Sequence, residues 1–239
     1  MNILSVQDVS FSYDKSTPAI YGVDLQIDPG EVVGLVGPNG SGKSTFIKLV
    51  FDLLELQKGQ IQILGNNHRL TTARLASIYL PSDDDLPEFL TGDEYLRTLF
   101  RLYKRPFDKN SVLREFDRFG MRGRERNLIE DYSHGMRKKL QLISAFLLQL
   151  PLTVIDETIN GIDLDAVYEC RKSITELKSR GHSVLLCTHD FYFLQKVADK
   201  VIVFHQAKQI ASFATPSHEH LEDRVAEILG VDLHDRGAL

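Results

Sequence analysis

Cysteine is scarce, with Cys170 and Cys187 the two in 239 residues. They match no metal-ligand spacing, and so few thiols favour a reducing compartment. Tryptophan is absent, which decides nothing. Positive charge is not in excess: 28 Lys and Arg stand against 33 Asp and Glu, a net charge of −5. No global basic field therefore draws the chain to nucleic acid or to an anionic membrane surface. Long apolar runs are missing too. The longest mostly apolar stretch, residues 140–155, is broken by Gln141, Gln149 and Pro151 and is too short to span a bilayer. The opening Met1-Asn2-Ile3-Leu4-Ser5 has no basic segment followed by an apolar one, so no secretory leader is expected. Neither an internal repeat nor a disordered linker is visible. These absences predict a chain soluble by itself, whose membrane role, if any, comes through a partner. The apolar fraction of 43% is enough for a sizeable core.

What is present is organised around Gly37-Pro38-Asn39-Gly40-Ser41-Gly42-Lys43-Ser44-Thr45, which fits G-x-x-x-x-G-K-[ST]. The apolar, Val-rich run 31–36 before it reads as a buried strand, and residues 45–54 after it read as a helix. Between a strand and a helix, the glycines let backbone N–H groups turn inward around phosphate oxygens. The helix N-terminus adds partial positive charge. Lys43 is expected to reach the β- and γ-phosphates, and Ser44 to offer its hydroxyl to Mg²⁺.

Around this loop the pattern is α/β. Runs 6–13 and 20–27 read as strands of an N-terminal antiparallel layer, and Asp28-Pro29-Gly30 as a turn. Tyr13 has two readings: an aromatic face stacked on adenine, or a half-buried strand tyrosine. Residues 59–65 and 76–81 read as further strands, followed by the acidic turn Ser82-Asp83-Asp84-Asp85. From about 91 to 149 helical periodicity takes over, over 94–103, 111–119 and a helix opening after Ser133, with a basic connection at Arg122, Arg124 and Arg126. From 151 the alternation of strand and helix returns: strands at 152–155, 183–188 and 201–204, helices at 165–177 and 191–200, and a short last helix at 219–229. Strands alternating with helices imply a mostly parallel sheet covered on both faces.

Ligands gather at the carboxyl ends of parallel strands. Asp156 and Glu157 end the apolar strand 152–155, so Asp156 is placed to hold Mg²⁺ and Glu157 to polarise an attacking water. His189 stands beyond strand 183–188, where an imidazole can donate to a γ-phosphate. Tyr132-Ser133-His134-Gly135-Met136 closes the helical insertion. Ser133 is a good N-cap, and its helix offers a second N-terminus to an anion. If a second copy faced the first head to tail, Ser133 and Gly135 of one would cover the γ-phosphate held by Lys43 of the other. An ordinary helix cap is the plainer reading.

Together these residues resemble the ATP-binding subunit of an ABC transporter over nearly the whole chain. Residues 37–45 correspond to its Walker A loop, Ser133, His134, Gly135 and Met136 to its signature, and 152–157 to Walker B. Asn160-Gly161-Ile162-Asp163 corresponds to the D-loop, His189 to the switch histidine and Tyr13 to the adenine-stacking residue. The resemblance implies one ABC-type domain over 1–239, with a helical subdomain inserted at roughly 91–149. The implied fold is a P-loop NTPase with a mostly parallel core sheet, an N-terminal antiparallel β layer and that inserted subdomain. It further implies ATP and Mg²⁺ as cofactors, a second nucleotide-binding subunit (a homodimer by preference), and a separate transmembrane subunit, with the chain peripheral to the cytoplasmic face. The Tyr-Ser-x-Gly-Met form of the signature is similar to the branch exporting drugs, peptides or bacteriocins. Two other readings are a soluble ABC-type ATPase and a regulatory module that holds ATP without powering transport. No nucleic-acid partner is expected.

Three departures from the family pattern stand out. His134 and Met136 replace the signature's Gly and Gln. Thr158-Ile159 replace Pro-Thr, which predicts a less rigid exit from Glu157. Ser82, itself a candidate Mg²⁺ contact, occupies the place of a Gln that contacts Mg²⁺, and a water, or one of the acids at 83–85, is expected to fill the missing reach.

Overall fold

The computed structural model describes residues 2–14 and 17–231. Two antiparallel strands open the chain, β1 (Leu4–Ser12) and β2 (Pro18–Ile27), and β3 (Val32–Val36) runs into the phosphate loop and α1 (Lys43–Val50). Then come β4 (Lys58–Ile63), the short β5 (Asn66–Asn67), the single turn α2 (Thr71–Arg74) and β6 (Ser77–Leu80). Helices α3 (Gly92–Leu102), α4 (Lys109–Arg118) and α5 (His134–Leu148) stand between β6 and β7 (Leu152–Asp156). The chain continues through α6 (Leu164–Ser179), β8 (Ser183–Cys187), α7 (Phe191–Val197), β9 (Lys200–His205), β10 (Lys208–Ala214) and α8 (Leu221–Leu229).

Two sheets result. One is β2-β1-β4-β5, antiparallel throughout. The other is β10-β9-β3-β8-β7-β6, in which β9, β3, β8, β7 and β6 run parallel. Every residue of β3, β7 and β8 is buried, because helices and the first sheet cover both faces. Inward side chains of one face join α1 and the antiparallel sheet in one core, with Phe46 and Phe204 in ring contact at 5.5 Å. The other face packs under α3, α5, α6, α7 and α8. Burying a Leu, Ile or Phe fully stabilises by roughly 1.5–3 kcal/mol, so these two cores fix the strand order. That order carries the ends of β3, β7 and β8 to one edge.

Helix starts follow their caps. Thr91 and Glu94 form a reciprocal capping box on α3. Ser133, Asp163 and Asp190 accept from Met136, Ala166 and Phe193 N–H at 3.3, 3.0 and 2.8 Å. Helix α1 differs: its N-cap is Gly42, with no side-chain cap.

Two expectations need correction. The helix expected over 191–200 stops at Val197. Asp199 exchanges backbone and side-chain hydrogen bonds with Val32 at 2.8 and 2.9 Å, which pins the chain into β9 with Lys200 opposite Val33. Strand β10 was not expected at all. It is an edge strand of alternating exposure, and its hairpin turn uses Gln206 and Ala207, both at positive φ, instead of the Asn and Gly that announce such turns.

Candidate ATP-binding and hydrolysis site

The phosphate loop is shaped by close approach. A Cβ on Gly37 would stand 2.1 Å from the Phe204 carbonyl oxygen, and one on Gly42 2.5 Å from that of Ala19. Both residues have positive φ, so only glycine fits. Lys43 is buried, and its ammonium donates to the Gly37 and Pro38 carbonyls at 2.8 and 3.1 Å, so the loop curls around one positive charge. Because α1 lacks a side-chain cap, its first N–H groups are free to meet an anion.

Beside the loop lies a cleft of about 300 Å³ whose lining includes Tyr13, Asn39, Lys43, Ser44, Thr45 and Glu157. Tyr13 is exposed and its hydroxyl shares a 3.1 Å hydrogen bond with Thr45, so its ring stands at the rim of the cleft.

Asp156 and Glu157 end β7 differently. Asp156 is buried, and its Oδ1 has no protein partner, while Oδ2 accepts from the Tyr79 hydroxyl at 3.3 Å. Burial pushes its carboxyl up, partly countered by the neighbouring Cys187 thiol and Ser44 hydroxyl. A buried carboxylate oxygen without a partner, next to the hydroxyl of Ser44, is a donor set suited to a hard cation such as Mg²⁺. Glu157 takes a left-handed φ of 56°, fixed by its N–H bond to the Cys187 carbonyl at 2.8 Å. The turn brings its Oε1 to 3.1 Å from His189 Nε2. Thus Lys43, Ser44, Asp156, Glu157 and His189 come from three neighbouring strand ends to one place.

Ser133, His134, Gly135 and Met136 do not line this cleft. They open α5, whose first turns grip the segment after Glu157. Lys138 donates to the Asn160 carbonyl at 2.7 Å, Lys139 pairs with Asp163, and a Cβ on Gly135 would lie 3.4 Å from the Gly161 carbonyl. Lys139 accordingly holds the Asp163 carboxyl below the usual range.

Side chains of the acidic turn have partners within the protein. Ser82 donates to its neighbour Asp83 at 3.2 Å, and Asp84 turns to His134. The exit from Glu157 is also anchored without a proline. Thr158 is fully buried, with its hydroxyl 3.0 and 3.1 Å from the Leu80 and Pro81 carbonyls. Sequence reasoning passed over Tyr79 and read Thr158 only as a missing proline, since the polar tips of both matter only for what the neighbouring segment presents.

The model for the ABC transporter family matches residues 20–160. The chain belongs to the ABC transporter family. Among relatives, the ABC-type transporter ATP-binding protein EcsA of Bacillus subtilis is 31% identical, over 87% of this chain and 85% of that protein. The lipopolysaccharide export system ATP-binding protein LptB of Haemophilus influenzae is 28% identical, over 95% of this chain and 97% of its own. The solved ATP-binding subunit of an ABC transporter superposes with a TM-score of 0.83 at 30% identity, covering 98% of this chain and 97% of that one. This ABC ATP-binding chain thus has the P-loop NTPase fold that its loop implied. No helix among the described residues is long and apolar enough to cross a membrane.

Proposed function

We propose that this ABC chain hydrolyses ATP, dimerises on Mg·ATP head to tail with a second copy, and drives export through a separate membrane-spanning subunit at the cytoplasmic face. The observation that carries the reading is Glu157 Oε1 held 3.1 Å from His189 Nε2 beside the phosphate loop. A glutamate there accepts the proton of a water attacking the γ-phosphorus. As the new P–O bond forms, the bond to the β-phosphate oxygen breaks and ADP departs. Lys43 leaves the two loop carbonyls to hold phosphate oxygens, and His189 orients Glu157 and donates toward the γ-phosphate. Tyr13 offers its ring to the base. Bound Mg²⁺ supplies charge neutralisation on the phosphates, with Ser44 and Asp156 as the residues to hold it.

In the facing copy, Ser133 and the start of α5 close over the γ-phosphate, with Asp163 tying the segment after Glu157 to that helix. Export as the direction rests on the Tyr-Ser-x-Gly-Met signature and on relatives such as the lipopolysaccharide export protein. A membrane subunit with about six apolar spans of ~20 residues is expected as the partner.

Glu157→Gln tests the chemistry, because an amide cannot take up the proton. Phosphate release is expected to fall by about 10²–10⁴-fold, while Mg·ATP moves the variant to a dimer on size exclusion. Turnover at the wild-type rate would remove Glu157 from this role.

A further inference from the structure

The two oxygens of Asp156 are not equivalent: Oδ2 accepts from Tyr79, and Oδ1 is buried without a hydrogen-bond partner. Strands β6 and β7 are parallel neighbours, with Tyr79 opposite Val154 and Leu80 opposite Ile155. This register carries the Tyr79 ring alongside the end of β7, where its hydroxyl donates to Asp156 Oδ2 at 3.3 Å. The ring cannot swing freely. It stacks on Phe51 at 5.2 Å between centroids and 25° between planes, and Phe51 is the residue that closes α1. One phenol therefore bridges the far end of the phosphate-loop helix and the carboxylate at the loop's side.

The phenol must be the donor. Its O–H points at a carboxylate, which can only accept. With Oδ2 taken, Oδ1 is left buried and without a protein partner. A carboxylate with both oxygens free could rotate or grip a cation through either oxygen. Here one oxygen is held and the other presented.

We propose that Tyr79 is a positioning residue of the hydrolysis site: by holding Asp156 Oδ2 it presents Oδ1 alone to the divalent cation that accompanies ATP. The inference rests on the reading that Asp156 serves that cation. Partners that orient a metal-binding carboxylate are typically worth 10–100-fold in metal affinity.

The test is Tyr79→Phe in the full chain, which keeps the ring and its stack on Phe51. Free Mn²⁺, used in place of Mg²⁺, is titrated against protein and a non-hydrolysable ATP analogue and read by its electron paramagnetic resonance signal. Mn²⁺ binding is expected to weaken roughly tenfold. Binding of a fluorescent ATP analogue in EDTA, and the thermal melt, should stay at wild-type values. Asp156→Asn is run beside it. If Asp156→Asn loses Mn²⁺ affinity and Tyr79→Phe does not, Tyr79 is only a packing residue and the proposal fails. If neither loses it, the assignment of Asp156 to the cation fails first, and the role of Tyr79 with it.

Discussion

His134 Nδ1 lies 2.8 Å from Asp84 Oδ2, across fifty positions of sequence. The pair joins the first residue of α5 to the acidic turn after β6. Two further contacts hold the same segment on the same helix: Gln141 donates to the Asp83 carbonyl at 2.9 Å, and Arg137 pairs with Glu88 at 2.8 Å. The turn is a strap on α5, so a movement of either element is felt by the other.

This strap titrates. Burial alone would push the Asp84 carboxyl up, but the hydrogen bond and charge of His134 outweigh it and hold the group below its usual value. A depressed folded pKa means that the stability is present above the unfolded value of about 3.9 and is lost as pH falls through the folded one. Asp84→Asn should therefore cost stability in mildly acidic solution, at about pH 5, by at most about 1 kcal/mol because His134 is exposed to solvent. The gap between wild type and variant should close as the medium is taken below about pH 3. Urea melts of the two proteins across this range measure it; a gap that widens in acid would contradict the assignment.

The shared-site reading makes a prediction that one chain cannot fulfil alone. Lys43→Ala and Ser133→Arg should each abolish ATPase activity in a homodimer. In a mixed dimer one site carries both defects and the other neither, so activity should return on mixing. Demonstrated heterodimers that remain inactive would mean that Ser133 serves its own chain.

Thr158 offers a stability test just beyond the end of β7. Thr158→Val keeps the shape and removes the hydroxyl that bridges to the Leu80 and Pro81 carbonyls. Leaving buried carbonyls short of a donor should cost about 1–2 kcal/mol. For a chain of this size that lowers Tm by about 2–4 °C per kcal/mol. Calorimetry of wild type and variant decides, and an unchanged Tm would show the bridge to be dispensable.

Local chemistry made much of this protein legible in its sequence. Gly37, Gly42 and Lys43 announce the phosphate loop because backbone shape and one ammonium are properties of adjacent residues. The buried runs of β3, β7 and β8 announce a parallel sheet, and Ser133 announces a helix start within its own first turn. Where the signal was a pattern of neighbours, the reading failed. Strand β10 has a hairpin turn without glycine, and α7 ends at Val197 because Asp199 binds Val32, a residue on a distant strand. Only the tertiary structure decided that Asp84 faces His134, that Thr158 replaces a proline ring with a hydroxyl bridge, and that Tyr79 holds one oxygen of Asp156. Each of these depends on the register between strands or on the packing of a loop against a helix. Hydrogen-bond partners far apart in sequence leave no periodicity behind, so the sequence names the donors and acceptors while the fold alone chooses which of them meet.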